Sequence, residues 1–330
     1  MSSVAKLTQD TIPTKAAALA AEGIDMAYDI TRHSIALASD GGVQLTRFRP
    51  AEPAQAVVLC WHGAIESGRI VHSRSGKGLA PWLAERGFDV FVADQRGRNG
   101  ALPHPARGVR LDQTDVIREE IPAAIDRTLE LSGQSQLHVI AHSWGGVLLA
   151  AHLARCPTNR KRIASQVYFG SKRCVHSWSP QRLLYVDLIW KGAGALVRGL
   201  WGYIPARRLG WGSDDEYAGM HRQSVAWVRP SAWRDTRDGF DYAAALSDGG
   251  LPPTLHLAGA VDRALGHPGD VARFVAECGP HTQRQRLLGR SAGLRRDYGH
   301  LDMLTHPQAA EEVYPLAKAW LDAHDGKSHP

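Results

Sequence analysis

The chain has 330 residues, 44% of them hydrophobic and 22% charged, with a formal net charge of +6. That is long enough for a substantial core, and its composition is that of a globular rather than a disordered chain. The positive charge is dispersed, with no helix-turn-helix, zinc finger or RNA-binding strand pair, so no nucleic-acid partner is expected.

In chain order, residues 1–30 form an N-terminal segment without the long apolar core of a secretory signal. Together with cysteines that make no CxxC pair (Cys60, Cys156, Cys174 and Cys278), this leads us to expect free thiols and a cytoplasmic protein. Arg32 to Ala38, a turn at Asp40-Gly41-Gly42, and Val43 to Phe48 predict a β-hairpin. Ala56 to Trp61 and Asp89 to Asp94 predict buried strands, separated by a helix ending near Gly87. A long amphipathic helix is predicted from Thr114 to Gly133, then a strand from Leu137 to Ala141 and a helix from Trp144 to Arg155. Gln166 to Gly170 and Thr254 to Ala258 predict further strands, and Pro307 to His324 a closing helix. This alternation predicts an α/β fold: a mostly parallel central sheet with helices on both faces.

Residues 174–250 interrupt the alternation and carry Trp178, Trp190, Trp201, Trp211, Trp227 and Trp233, six of the ten tryptophans. They predict a helical cap inserted into a core made of residues 31–173 and 251–330. Within it, Leu183 to Ile204 is apolar but broken by Asp187, Lys191 and Arg198. Charges at that depth are costly in lipid, so the stretch predicts a buried or lid helix pair rather than a membrane span.

The chemistry concentrates at strand ends. Ala141-His142-Ser143-Trp144-Gly145-Gly146 lies between a strand and a helix, where a sharp turn lifts a serine hydroxyl and flanking small residues let the chain pass. Ser143 is the candidate nucleophile. Acyl transfer requires donors at the developing oxyanion, and the Trp144 and Ala64 backbone amides are the candidates. His62, in Trp61-His62-Gly63-Ala64, is expected chiefly to brace that loop.

Val261-Asp262 follows a strand, and Asp297-Tyr298-Gly299-His300 precedes the closing helix. A histidine base needs a carboxylate on its second nitrogen, which makes His300 the base and Asp262 its orienting acid. Asp297 and Asp302 are rivals for the acid, disfavoured because they lie too near His300 along the chain. His62, His142, Trp178, Trp190 and Trp201 are the candidate substrate contacts, and the tryptophans could form an apolar wall.

With HG after one strand, DQRGRNG after the next, then AHSWGG, GAVDRALGHP and DYGHLDMLTHPQA, the chain resembles the α/β-hydrolase family over about residues 30 to 325. The tail GHLDM resembles its acid-lipase-like and related bacterial esterase branch. The resemblance implies a serine nucleophile and no metal or organic cofactor, and it does not by itself fix a substrate; a small-molecule ester or lipid is the expected one. Ser143 disfavours epoxide and carbon–halogen chemistry, which use aspartate there, and the polyester synthases, which use cysteine. Thioester hydrolysis or acyl transfer from a carrier remains an alternative, as does a non-catalytic binding protein on the same fold. The stretch Gly279 to His300, with Arg284, Arg286, Arg290, Arg295 and Arg296, is read as a solvated loop or as an anion site beside the base.

Overall fold

A computed structural model describes residues 27–325. The expected N-terminal segment therefore lies almost wholly outside the described residues.

The first strands are β1 (Tyr28–Ala36), β2 (Gly42–Pro50), β3 (Ala56–Trp61), β4 (Phe88–Asp94), β5 (Leu137–His142) and β6 (Ile163–Phe169). Two short strands, β7 (Tyr203–Ile204) and β8 (Glu216–Tyr217), follow, then β9 (Thr254–Gly259) and β10 (Gln283–Leu288). Eight of them form one sheet in the order β1-β2-β4-β3-β5-β6-β9-β10, and β7 pairs with β8 separately. The hairpin β1–β2 and the β2–β4 pair are antiparallel; the other pairs in the large sheet are parallel.

The apolar runs are continuous because both faces of the sheet are covered. Along β3, Val57, Leu59 and Trp61 pack on one side with Leu148 and Ile125, while Val58 and Cys60 pack on the other with Leu79 and Leu321. Successive side chains point to opposite faces, so a strand with no polar member still feeds two cores.

Register brings the chemistry to one edge. Trp61 pairs with Ala141, His142 with Phe169, and Phe169 with Leu257. The parallel strands therefore end together, and the loops that leave them converge. Ligands of open α/β sheets bind at that carboxyl edge.

Several elements depart from expectation for identifiable reasons. The predicted helix from Thr114 begins at Gln113, capped by Asp112, and opens into a wide π turn over Val116–Glu120 before Ile121–Ser132. Pro122 has no amide to give to the preceding turn. The closing helix is divided into Ala309–Glu312 and Tyr314–Ala323, with Pro315 in the first turn of the second piece. The arginine-rich stretch is not simply a loop: Gln283–Leu288 is the edge strand β10, laddered to β9 with Gln283 to Leu287 exposed. Its QRQRLL sequence carries no strand-like apolar pattern, and the backbone ladder supplies the order.

Between β6 and β9 the chain is largely helical: Leu183–Ala193 in wide turns, then Gly194–Trp201, Ala218–Trp227 and Tyr242–Gly249. The apolar stretch expected as a buried or lid pair lies at the surface. Leu183, Leu184, Tyr185, Leu188, Leu196 and Leu200 are exposed, and Val186 and Gly194 are the buried members of its helices. Trp227, Trp233, Tyr242 and Leu246, by contrast, join the main core beside Leu148 and Phe274. Among the described residues no helix is long and apolar enough to cross a membrane.

Candidate active site

Ser143 sits between β5 and the helix Trp144–Arg155 with φ +52° and ψ −123°. A non-glycine residue in that region is strained, and it persists only where the surroundings enforce it. Here the Ser143 amide donates to the Phe169 carbonyl at 2.7 Å, tying the turn to β6. The following helix starts so close to the neighbouring strand end that a Cβ on Gly145 would lie 2.3 Å from the His62 carbonyl oxygen. One on Gly146 would lie 2.3 Å from the Ser171 hydroxyl. The small residues after the serine are thus a packing requirement.

The Ser143 hydroxyl lies 2.8 Å from Nε2 of His300, and Nδ1 of His300 lies 2.6 Å from Oδ2 of Asp262. His300 comes from the loop before the last helices, and Asp262 from the loop after β9. The other Asp262 oxygen accepts the Leu265 amide at 2.9 Å, which fixes the carboxylate plane. Burial pushes Asp262 up, but the His300 ring and the Gly266 and Ala264 amides outweigh it and hold the group at about 2. His300 is lowered from its ordinary value, first by burial and then by the neighbouring His142, against the pull of Asp262. The arrangement joins a hydroxyl donor, a neutral imidazole acceptor and an ionised carboxylate in one line of contacts, which is what general-base activation of a serine requires.

The rival carboxylates are committed elsewhere. Asp297 accepts the Arg290 amide, and Asp302 accepts the Gly299 amide and the Arg296 guanidinium. Arg295 pairs with Glu311 and Glu312. Arg295 and Arg296 are thus occupied by carboxylates rather than by His300.

The loop after β3 closes the site from the other side. A Cβ on Gly63 would meet the Ser143 Cβ at 3.0 Å, so the backbone at Gly63 abuts Ser143. Gly63 donates its own amide to Glu66, leaving Ala64 as the next amide of that loop. On the far side, Trp144 heads its helix, where free N–H groups and the helix dipole favour negative charge. The Trp144 indole donates to Gln113, and its ring lies 6.3 Å from that of Trp227.

The expected substrate contacts fare differently. His62 is buried, its Nδ1 donating to the Gly63 carbonyl and its Nε2 accepting the Gln95 amide. With both ring nitrogens engaged by backbone, it offers a substrate no polar atom. His142 is also buried, with Nδ1 against Glu66 and Nε2 against the His300 carbonyl, so it too is withdrawn from substrate. Trp178 is 74% exposed and cannot form a wall that excludes water. Trp190 is held within the inserted segment by Ser224 and by the ring of His221. Trp201 is exposed, and among the described residues no hydrogen bond or ring contact joins Trp190 or Trp201 to Ser143 or His300.

Two residues were not singled out from sequence. Glu66 stands four positions after His62, in the loop against Ser143. Lys172 is buried, with its ammonium near the Trp144 ring and Asp262 among the charges acting on it. Among the described residues no group of three or more histidine, cysteine, aspartate or glutamate side chains is arranged to hold a metal ion.

A family model described as the alpha/beta hydrolase fold matches residues 56–181, a stretch that runs from β3 through the Ser143 turn. Over that stretch the chain is similar to the α/β-hydrolase fold family, and its eight-stranded, mostly parallel sheet has that fold. It is 32% identical over 116 residues to a tear acid lipase-like protein of Mesocricetus auratus, covering 32% of this chain and 27% of that protein. It is 28% identical over 114 residues to the human lysosomal acid lipase/cholesteryl ester hydrolase, covering 32% of this chain and 29% of that protein. The chain thus spans under a third of the length of these curated relatives. An esterase of Pyrococcus furiosus shares the fold at a TM-score of 0.55 and 14% identity, over 92% of this chain and 93% of its own.

Proposed function

We propose that this α/β-hydrolase cleaves a carboxylic ester of a hydrophobic small molecule or lipid, with Ser143 as nucleophile, His300 as general base and Asp262 as the acid that orients it. The observation that carries the reading is the pair of contacts on the His300 ring, 2.8 Å to the Ser143 hydroxyl and 2.6 Å to Asp262.

The reaction divides into two halves. As the Ser143 oxygen bonds to the ester carbonyl carbon, its proton passes to Nε2 of His300, and the imidazolium is held by Asp262. The carbonyl electrons move onto oxygen, which receives hydrogen bonds from the Trp144 and Ala64 amides. Each such donor is worth roughly 10²–10³-fold in rate. Collapse expels the alkoxide, which takes the proton from His300 and leaves an acyl ester on Ser143. A water molecule, deprotonated by the same ring, then attacks that ester and releases the acid and the free serine.

Residues 174–250 are the cap in this reading. They enter between β6 and β9, at the carboxyl edge where the triad lies, and Trp227 reaches the Trp144 ring. An apolar substrate fits a segment that exposes Leu183, Leu184, Leu188, Leu196 and Leu200. Carrier-linked acyl groups are less favoured, because Arg295 and Arg296 pair with Glu311, Glu312 and Asp302. A cytoplasmic setting belongs to the same proposal and is supported by four free cysteines.

The test is hydrolysis of p-nitrophenyl esters of increasing chain length by the native protein and by Ser143→Ala. The variant is expected to lose on the order of 10⁴–10⁶-fold in kcat with an unchanged fold. Retention of activity within tenfold would reject the assignment.

A further inference from the structure

His142 sits immediately before the nucleophile, and no step of the proposed reaction uses it. Its Nδ1 lies 2.6 Å from Oε1 of Glu66 and its Nε2 lies 3.1 Å from the backbone oxygen of His300. The His300 carbonyl is an acceptor, and so is Glu66 in the ionised form favoured by the Gly63 amide and the His142 ring. A neutral imidazole carries one N–H, so one of these contacts would set a bare nitrogen lone pair against an oxygen lone pair. Both are satisfied only when the ring carries two protons. The site is closed to water on the His142 side, where the side chain is 1% exposed, so no solvent donor substitutes.

We propose that Glu66 and His142 form a buried carboxylate–imidazolium pair that positions His300 and the Gly63 loop around Ser143, and whose cation keeps the His300 base unprotonated. The proposal rests on the serine-hydrolase reading of the site. Glu66 Oε1 accepts from both the His142 ring and the Gly63 amide, so one carboxylate links the loop with the oxyanion donor to the strand end with the nucleophile. His142 extends the link to the backbone of the general base, 158 residues away in sequence. Neither residue touches the reacting atoms in this arrangement; both are positioning residues.

The electrostatic part follows from the ring geometry. The His142 and His300 rings are 4.8 Å apart between centroids and tilted by 47°. A fixed positive charge at that distance disfavours a second one on His300. The charged and titratable groups facing the two rings are Asp262, Glu66 and the Ser143 hydroxyl, with His62 acting on Glu66 and Lys172 beside Asp262. The directions agree. Burial works against charge on His142, but Glu66 outweighs it and raises the group above its ordinary value. Burial likewise opposes ionisation of Glu66, and His142 overcomes it, bringing the carboxyl below its ordinary value. His300 lies below its ordinary value, with burial as the largest cause and His142 acting in the same sense.

Two measurements test this. The first is the pH profile of kcat/KM for p-nitrophenyl butyrate in the native protein, His142→Gln and Glu66→Gln. His142→Gln keeps an N–H for the His300 carbonyl but removes the cation while leaving the Glu66 anion. Its acidic limb is expected to move to higher pH by roughly one unit, with KM within about twofold of native. Glu66→Gln keeps an acceptor for the Gly63 amide and removes both charges, since His142 then loses its counter-ion. Its limb is expected to move in the same direction by less. A purely structural role would lower kcat without moving the limb, and an unmoved limb in both variants would overturn the proposal.

The second measurement is ¹⁵N NMR of histidine-labelled Ser143→Ala protein, with His142 assigned from the signals lost in the His142→Gln background. Two protonated ring nitrogens from about pH 6 to 8 are expected, where a free histidine would already be neutral at the upper end. One bare nitrogen on His142 at neutral pH would overturn the pair. This experiment needs no turnover, so it decides the pair even if the native protein hydrolyses no ester, which would instead count against the function proposed above.

Discussion

The Asp262 carboxylate reaches His300 from a loop 38 residues earlier in the chain and meets its Nδ1 at 2.6 Å, while Asp302, two residues after His300, turns away to the Gly299 amide and Arg296. Chain proximity is a hindrance here, because a carboxylate on the same short loop is already used to shape that loop. Asp262→Asn is therefore expected to lower kcat/KM for a p-nitrophenyl ester by on the order of 10³–10⁴-fold. Asp297→Asn and Asp302→Asn should cost far less. An Asp302→Asn variant more impaired than Asp262→Asn would move the acid role to Asp302.

The pH dependence of activity follows from the base. As the proposed general base His300 must be unprotonated, and burial together with His142 lowers it from its ordinary value, against Asp262. The rate should therefore hold as pH falls below the usual histidine value near 6.5 and decline only as pH passes through the lowered value. Initial rates over a pH series short enough to avoid unfolding would check this. An acidic limb centred above 6.5 would contradict it.

Stability should fail in acid for a different reason. His62, His72, His138, His152, His221 and His256 are all buried. Burial lowers each of them, His72 and His256 to about 3 and the other four to about 4. The unfolded chain binds protons at these sites near pH 6.5, whereas the folded chain does not until pH 3–4. Between those values the unfolded state holds more protons, so stability is full above about 6.5 and falls as pH drops, by up to about 1.4 kcal/mol per pH unit for each group. Thermal melts should show Tm declining steeply from pH 6.5 to 4.5. A flat Tm across that range would show that these rings are not held neutral.

The inserted segment is tied to the core by charge as well as by packing. Arg98, in the turn after β4, donates to Glu216 of β8 at 2.5 Å, and both side chains are buried. Its Nε and Nη1 find no partner among the described residues, so Glu216 is the main compensation for a buried cation. Glu216→Ala should lower unfolding free energy by about 3–5 kcal/mol, as expected when one member of a buried pair is removed. Adding Arg98→Met should recover much of that loss, since no charge is then stranded. Urea melts of both variants test this; a double variant no more stable than Glu216→Ala would rule it out.

Much of this was legible in the sequence, and the exceptions have physical causes. The strand Ala56–Trp61 and the helix Trp144–Arg155 have the bounds expected, because each is an apolar run stopped by a sharp change in residue type. Ser143, His300 and Asp262 stood out because each follows or precedes a recognisable element, and they meet in the structure. The strand Gln283–Leu288 escaped notice because an exposed edge strand has little side-chain pattern and takes its order from the ladder with β9. The wide helical turn at Val116–Glu120 is a backbone accommodation that residue spacing does not encode. Trp178 was expected at the site as part of an apolar wall of cap tryptophans, yet it stands in solvent. Glu66 could not be paired with His142 beforehand, since only the register of β3 and β5 brings residues 76 apart together.

The most direct test of the site is the covalent one. Native protein treated with a fluorophosphonate should gain a single phosphonyl adduct by intact mass, mapping by peptide sequencing to Ser143, and Ser143→Ala should gain none. The adduct should also form far more slowly in Asp262→Asn. Labelling that persists in Ser143→Ala, or a native protein that stays unlabelled under conditions where it is folded, would contradict Ser143 as the nucleophile.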